Sequence, residues 1–156
     1  MTTLNVLFLC TGNSARSILG EMAANTHHSE KFLGFSAGSN PVGSVNPYAL
    51  KIAETFNYDV SKLRSKSLEE ISTELLSIDF VVTVCDNAAA EVCPILPTEI
   101  LKVHWSYKDP ARVSNENDEN KLKAFQKIYE DIYKKLTTIA DKIDNRFDLS
   151  SAIKGL

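Results

Sequence analysis

The feature that most constrains the fold is an apolar run that ends on a cysteine and a glycine-bearing turn. It reads Leu4-Asn5-Val6-Leu7-Phe8-Leu9, followed by Cys10-Thr11-Gly12-Asn13-Ser14-Ala15-Arg16. Such a run fits a strand covered on both faces, as in parallel sheets, and Ser17 to His27 then fits a helix. Phe32 to Ala37, Phe80 to Val84 and Leu101 to His104 are further β-type runs, with helical patterns between them. Asn46-Pro47 reads as an N-cap and first turn, with Ala49, Ile52, Ala53 and Phe56 at helical spacing. A second helix start is expected near Ser67, where Glu69 and Glu70 suit the positive end of a helix dipole.

Leu122, Phe125, Tyr129, Ile132, Leu136, Ile139 and Ile143 recur every three or four residues and predict one long amphipathic helix. At about three heptads it fits packing onto the domain's own sheet better than a coiled-coil seam. The alternation predicts an α/β chain forming a single three-layer domain, a four-stranded parallel sheet with helices on both faces. Such sheets bind ligands at the carboxyl ends of their strands, where Cys10 stands.

A chain of 156 residues is long enough to bury a core as one domain. Seventeen basic against twenty acidic residues leave a formal charge of -3, without the basic excess that draws a chain to nucleic acid or an anionic membrane. An anion must therefore be held locally. No apolar run approaches the about 20 residues of a membrane span, and the N-terminal segment lacks the basic flank of a signal peptide. A cytoplasmic setting is expected, where cysteines stay reduced and serve catalysis or metal binding more often than structure. There are three: Cys10, Cys85 and Cys93.

In the loop after Cys10, Gly12 permits unusual dihedrals and close backbone approach, and the following helix offers free N–H groups to an anion. Arg16 adds a planar, permanently charged fork matched to phosphate or arsenate oxygens. The same field favours the Cys10 thiolate and predicts a lowered pKa, with Ser17 placed to donate a hydrogen bond to the sulfur. The competing reading is that Cys10 is merely a small buried apolar residue at a strand end.

Phe8-Leu9-Cys10-Thr11-Gly12-Asn13-Ser14-Ala15-Arg16-Ser17 resembles the signature of the low-molecular-weight tyrosine phosphatases and of the arsenate reductases that share their fold. The resemblance implies that Cys10 is the nucleophile, that Arg16 clamps the anion and that residues 11–16 bind its oxygens. Many relatives carry a second Cys before the Arg; this chain has Ala15. The segment from Asp79 through Cys85 to Cys93-Pro94 resembles the redox segment of the thioredoxin-coupled arsenate reductases. Arsenate reduction through a Cys10-Cys85-Cys93 disulfide relay is therefore expected, with phosphomonoester hydrolysis through a Cys10 phospho-enzyme as the alternative. Seven residues separate Cys85 from Cys93, one more than in the thioredoxin-coupled relatives, so glutaredoxin with glutathione is as admissible a reductant as thioredoxin. No tightly bound cofactor is expected. The competing, lesser reading is that Cys85 is core packing and Cys93 an incidental surface thiol; zinc lacks the further Cys or His pair of a tetrahedral site.

His104-Trp105-Ser106-Tyr107-Lys108-Asp109-Pro110-Ala111 matches the stretch that carries the general acid in these reductases, which makes Asp109 the expected acid, although Asp-Pro is also common in turns. Some reductases of this type hold a potassium ion through an Asn, a Glu, a Ser and an Asp. Asn13, Glu21 and Ser36 match the first three, and Lys66 stands where the Asp is expected. Its ammonium then takes the cation's place beside Glu21, the alternative being a solvated surface lysine. No metal is expected.

An intact Cys10 and Arg16 argue against a non-catalytic oxyanion or redox sensor. His27 and His28 suit cationic or capping roles at a helix end, and Trp105 is expected to pack. The resemblance spans about residues 4 to 143. One domain over 1–143 is expected, with 144–156 an unassigned tail and the chain a monomer.

Overall fold

The computed structural model describes residues 3–27, 29–85, 96, 99–112 and 117–156. Four strands, β1 (Leu4–Cys10), β2 (Phe32–Gly38), β3 (Phe80–Thr83) and β4 (Leu101–His104), form one parallel sheet in the order β2-β1-β3-β4. Central β1 is why its sequence is nearly all apolar: Val6 to Leu9 are fully buried because both faces are covered. Val6 and Phe8 face one core, and Leu7 and Leu9 the other.

The first face carries the α-helices α1 (Arg16–His27), α2 (Pro47–Thr55) and α3 (Asp118–Asp144). Gly20 lets α1 lie close on β1, since a Cβ there would come within 2.4 Å of the Phe8 ring. The Asn46 side chain caps α2 by accepting from the Tyr48 amide at 2.9 Å, with Pro47 in the first turn, as expected. In α3, Phe125, Tyr129, Ile132, Leu136 and Ile139 are buried on this core, so the periodic face packs within the domain.

Among the described residues the second face is covered by 3-10 turns, Glu69–Ile71 and Glu74–Ser77, whose neighbours Leu68 and Ile78 join Ile71 against Leu7, Leu9 and Val81. An α-helix from Ser67 was the expectation. The start signal is real: the Ser67 amide donates to Glu70 Oε2 at 2.7 Å and the Glu70 amide to Ser67 Oγ at 3.3 Å. Ile71-Ser72-Thr73, poor helix formers, then stop it after one turn.

His27 sits edge-on to Phe56, Tyr129 and Tyr133, and burial lowers its pKa, so an aromatic contact replaces the expected cationic role. His28 lies outside the described residues. Trp105 packs as expected, 1% exposed. Beyond Asn145 the chain forms a short helix, α4 (Leu149–Ile153), capped by Asp148 and burying Ala152 and Ile153 in the first core. No helix among the described residues is long and apolar enough to cross a membrane.

The chain winds to one side of β1 for β2 and to the other for β3 and β4. Such a switch opens a crevice at the carboxyl ends of β1 and β3. Cys10 ends β1, and Cys85 stands two residues beyond β3.

Candidate active site

Between Cys10 and Arg16 the chain forms a closed loop whose carbonyls are bonded outward. The Thr11 oxygen accepts from the Asn40 amide at 2.9 Å, the Gly12 oxygen from the Val42 amide and Ser65 Oγ at 3.0 Å, and the Ser14 oxygen from the Asn46 amide at 2.9 Å. In a trans peptide the C=O and the next N–H point oppositely, so the amides of Gly12, Asn13 and Ala15 are turned inward. Gly38 makes room for this: a Cβ there would meet the Thr11 oxygen at 2.5 Å.

The left-handed residue of the loop is Asn13, at φ 46°, rather than Gly12. Asn tolerates this region, and here its side chain is fixed at both ends. Oδ1 accepts from the Lys66 amide at 2.8 Å, and Nδ2 donates to Ser17 Oγ at 2.8 Å. Gly12 instead admits close packing, with Val42 Cγ1 3.2 Å from where its Cβ would be. Because Ser17 Oγ accepts from Asn13, its proton is free to point at Cys10 Sγ, 3.2 Å away.

The fold brings a second thiol to the same place. Cys10 and Cys85 are both buried and line the same cleft, and Thr11 Oγ1 lies 3.6 Å from Cys85 Sγ. The expected depression of the Cys10 pKa is reversed in this resting state. The Cys85 contact pushes it up first and burial second, against the lowering effect of the Ser17 hydroxyl and the Ser17 and Asn13 amides. Two neighbouring thiols hold a shared proton more tightly than either would alone. Cys93 lies outside the described residues.

Arg16 opens α1 and spans to the opposite wall, where Nη1 donates to the Tyr107 carbonyl at 2.8 Å. Its Nε is buried with no acceptor among the described residues. A buried cationic N–H left unpaired is costly, and an oxyanion is the partner that would satisfy it. The loop opens into a cleft of about 510 Å³ lined by Cys10, Arg16 and Cys85 on one side and Lys108, Asp109 and Arg112 on the other. Among the described lining residues, three cations against one carboxylate make the cleft positive in a chain whose net charge is -3. Asp109 also accepts from the Ala111 amide at 3.0 Å and lies 3.5 Å from Arg112 Nε, so it caps the turn Pro110–Arg112 while facing the cleft.

Lys66 is 7% exposed, which excludes the solvated reading. Its Nζ donates to Ser36 Oγ at 3.0 Å and the Arg64 carbonyl at 3.0 Å, and pairs with Glu21 Oε1 at 3.3 Å; Ser36 Oγ donates to the same Glu21 oxygen at 2.7 Å. Burial raises the Glu21 pKa, with Lys66 and Ser36 opposing. Of the oxygens that would hold a potassium ion, those of Glu21 and Ser36 are thus engaged by the ammonium and Asn13 Oδ1 by the Lys66 amide, and the residues do not fit a metal there. Among the described residues no other group of His, Cys, Asp and Glu could hold one.

Sequence reasoning missed Tyr107 as the acceptor for Arg16. Nothing could have flagged it, because the acceptor is a main-chain carbonyl present in every residue. Lys108 and Arg112 were visible only as charges near an Asp-Pro turn.

The family model described as low molecular weight phosphotyrosine protein phosphatase matches residues 5–148. An arsenate reductase of Halalkalibacterium halodurans is 36% identical over 137 residues, covering 87% of this chain and 94% of that one. An arsenate reductase of Bacillus subtilis is 35% identical over 136 residues, with the same 87% and 94% coverage. A solved structure described as an arsenate reductase in the phosphate binding state shares the fold at a TM-score of 0.68 and 24% identity, over 90% of this chain and 99% of that one. The oxyanion loop, the paired thiols and these alignments agree: the chain belongs to the low molecular weight phosphotyrosine protein phosphatase family and, within it, to the arsenate reductases.

Proposed function

We propose that the chain reduces arsenate to arsenite with its own thiols. The observation that carries this reading is that two buried cysteines, Cys10 and Cys85, line one positive cleft, with Cys85 Sγ 3.6 Å from the hydroxyl of Thr11, the residue after Cys10. A hydrolase needs only one of them; a reductase needs a second thiol to accept the first in a disulfide.

Arsenate enters the loop, with the inward amides and the Nε edge of Arg16 taking its oxygens. Cys10 attacks arsenic as the thiolate, held by Ser17 Oγ and the Asn13 and Ser17 amides. An As–O bond breaks, and Asp109 protonates the departing oxygen as water. Cys85 then attacks the Cys10 sulfur as a thiolate. The S–As bond breaks with both electrons going to arsenic, arsenite leaves, and a Cys10–Cys85 disulfide remains. Cys93 next attacks Cys85, forming a Cys85–Cys93 disulfide and freeing Cys10, and an external dithiol restores both thiols. Thioredoxin, or glutaredoxin with glutathione, fills that role, in a cytoplasm that keeps thiols reduced.

The cleft wall favours a small free oxyanion over an aryl phosphate. The aromatic residue among its described lining, Tyr107, has its hydroxyl engaged by Asp131 and one ring face covered by Lys135, which leaves a phenyl leaving group less to stack on. Asp109 beside the Cys10 loop supports a lesser phosphomonoesterase activity.

The test follows NADPH consumption on adding arsenate, with thioredoxin and its reductase in one cuvette and glutaredoxin, glutathione and glutathione reductase in another. Turnover in either, abolished by Cys85→Ser, is expected. Rapid hydrolysis of para-nitrophenyl phosphate, unaffected by Cys85→Ser and without arsenate turnover, would refute the reading.

A further inference from the structure

Tyr107 is fastened at three points. Its amide donates to the Val84 carbonyl at 3.3 Å, beside Cys85, and its carbonyl accepts from Arg16 Nη1 at 2.8 Å. Its hydroxyl donates to Asp131 Oδ2 at 2.5 Å on α3 and accepts from Lys135 Nζ at 3.2 Å. Lys135 pairs with Asp131 at 3.2 Å and lies over the rings of Tyr107 and Trp105, at 5.0 and 5.1 Å. A tyrosine anchored so heavily, two residues before Asp109, spans the cleft wall from the strand ends to α3. Burial and then the Asp131 contact raise its pKa, so the hydroxyl remains a donor at neutral pH.

A guanidinium presents two parallel N–H groups along its Nε–Nη2 edge and again along its Nη1–Nη2 edge, and a bond that engages Nη1 leaves the Nε–Nη2 edge for an oxyanion. Holding Nη1 from outside fixes the guanidinium plane and aims that edge. The Tyr107 carbonyl does this, and Nε is accordingly buried without an acceptor among the described residues.

We propose that Tyr107, held by Asp131 and Lys135, is a positioning residue that aims the Arg16 fork at the incoming oxyanion. The inference rests on the oxyanion-binding half of the reading above, and α3 thereby serves the site without touching substrate. Loosening Tyr107 removes pre-organisation felt alike by bound reactant and transition state, so it weakens binding with little effect on the chemical step.

Isothermal titration of wild type, Tyr107→Phe, Asp131→Asn and Lys135→Met with inorganic phosphate tests this without requiring reduction. The phosphate dissociation constant is expected to rise about three- to tenfold in each variant, the worth of one ordinary hydrogen bond. The KM for arsenate should rise in parallel with kcat within about twofold, and Asp131→Glu should recover part of the loss. A lower melting temperature with phosphate affinity within about twofold of wild type would mark a purely structural network and overturn the proposal. If the variants weaken phosphate binding while wild type fails to reduce arsenate, the positioning role stands and the reductase reading falls. Wild type that reduces arsenate but does not bind phosphate overturns the positioning role and leaves the reductase reading standing.

Discussion

Replacing Lys66 by Met leaves the buried Glu21 carboxylate with Ser36 as its remaining side-chain donor. Breaking a buried ion pair from one side costs about 3–5 kcal/mol, because the orphaned charge stays out of water. For a chain of this size each kcal/mol lowers the melting temperature by about 2–4 °C, so a fall of about 6–20 °C is expected. The pH dependence identifies the cause. Burial already raises Glu21 above its ordinary 4.5, and removing Lys66 takes away the chief opposing charge. A raised carboxyl pKa means the folded state binds more protons than the unfolded, so stability is whole at acid pH and is lost as pH climbs from 4.5 through the folded value. The penalty of Lys66→Met should therefore be largest near neutrality and shrink towards pH 5 when followed by thermal or urea unfolding. A loss below about 1 kcal/mol, the scale of a surface pair, or a penalty that does not change with pH would refute the argument.

Three further outcomes follow from the same contacts. Wild type should gain no melting temperature from potassium chloride over choline chloride, whereas Lys66→Ala, which opens space beside Glu21 and Ser36, should gain; a potassium-specific gain in wild type would contradict the engaged site. Cys85→Ala removes the largest influence raising the Cys10 pKa, so alkylation of Cys10 by iodoacetamide should titrate at lower pH, and an unchanged or higher midpoint would show that the contact does not control it. Gly20→Ala drives a methyl into the Phe8 ring and should lower stability by about 1–3 kcal/mol in chemical unfolding; a neutral substitution would mean that α1 does not need its close seat on β1.

What was legible in the sequence was chemistry written in residue type and local periodicity. The buried run of β1, the Asn46-Pro47 start, the long face of α3 and the cysteine-arginine loop each carry their own signal. The 3-10 turns after Ser67 escaped because a capping pair announces a start but says little about where a helix stops. The short helix after Asp148 escaped because five residues are too few to show a period. Asn13 rather than Gly12 adopts the left-handed conformation because its side chain is held by Lys66 and Ser17, partners 53 and 4 residues away. The raised Cys10 pKa depends on Cys85 arriving from β3, and the Arg16 anchor on a carbonyl 91 residues distant. Such contacts between distant segments have no local signature.

The most direct measurement is the stoichiometry of arsenite release from fully reduced protein given arsenate but no external reductant. Roughly one arsenite per chain with the loss of two thiols is expected, and none from Cys85→Ser, because each reduction consumes one pair of thiols. Undiminished thiols with arsenate intact would contradict the claim that Cys10 and Cys85 together reduce it.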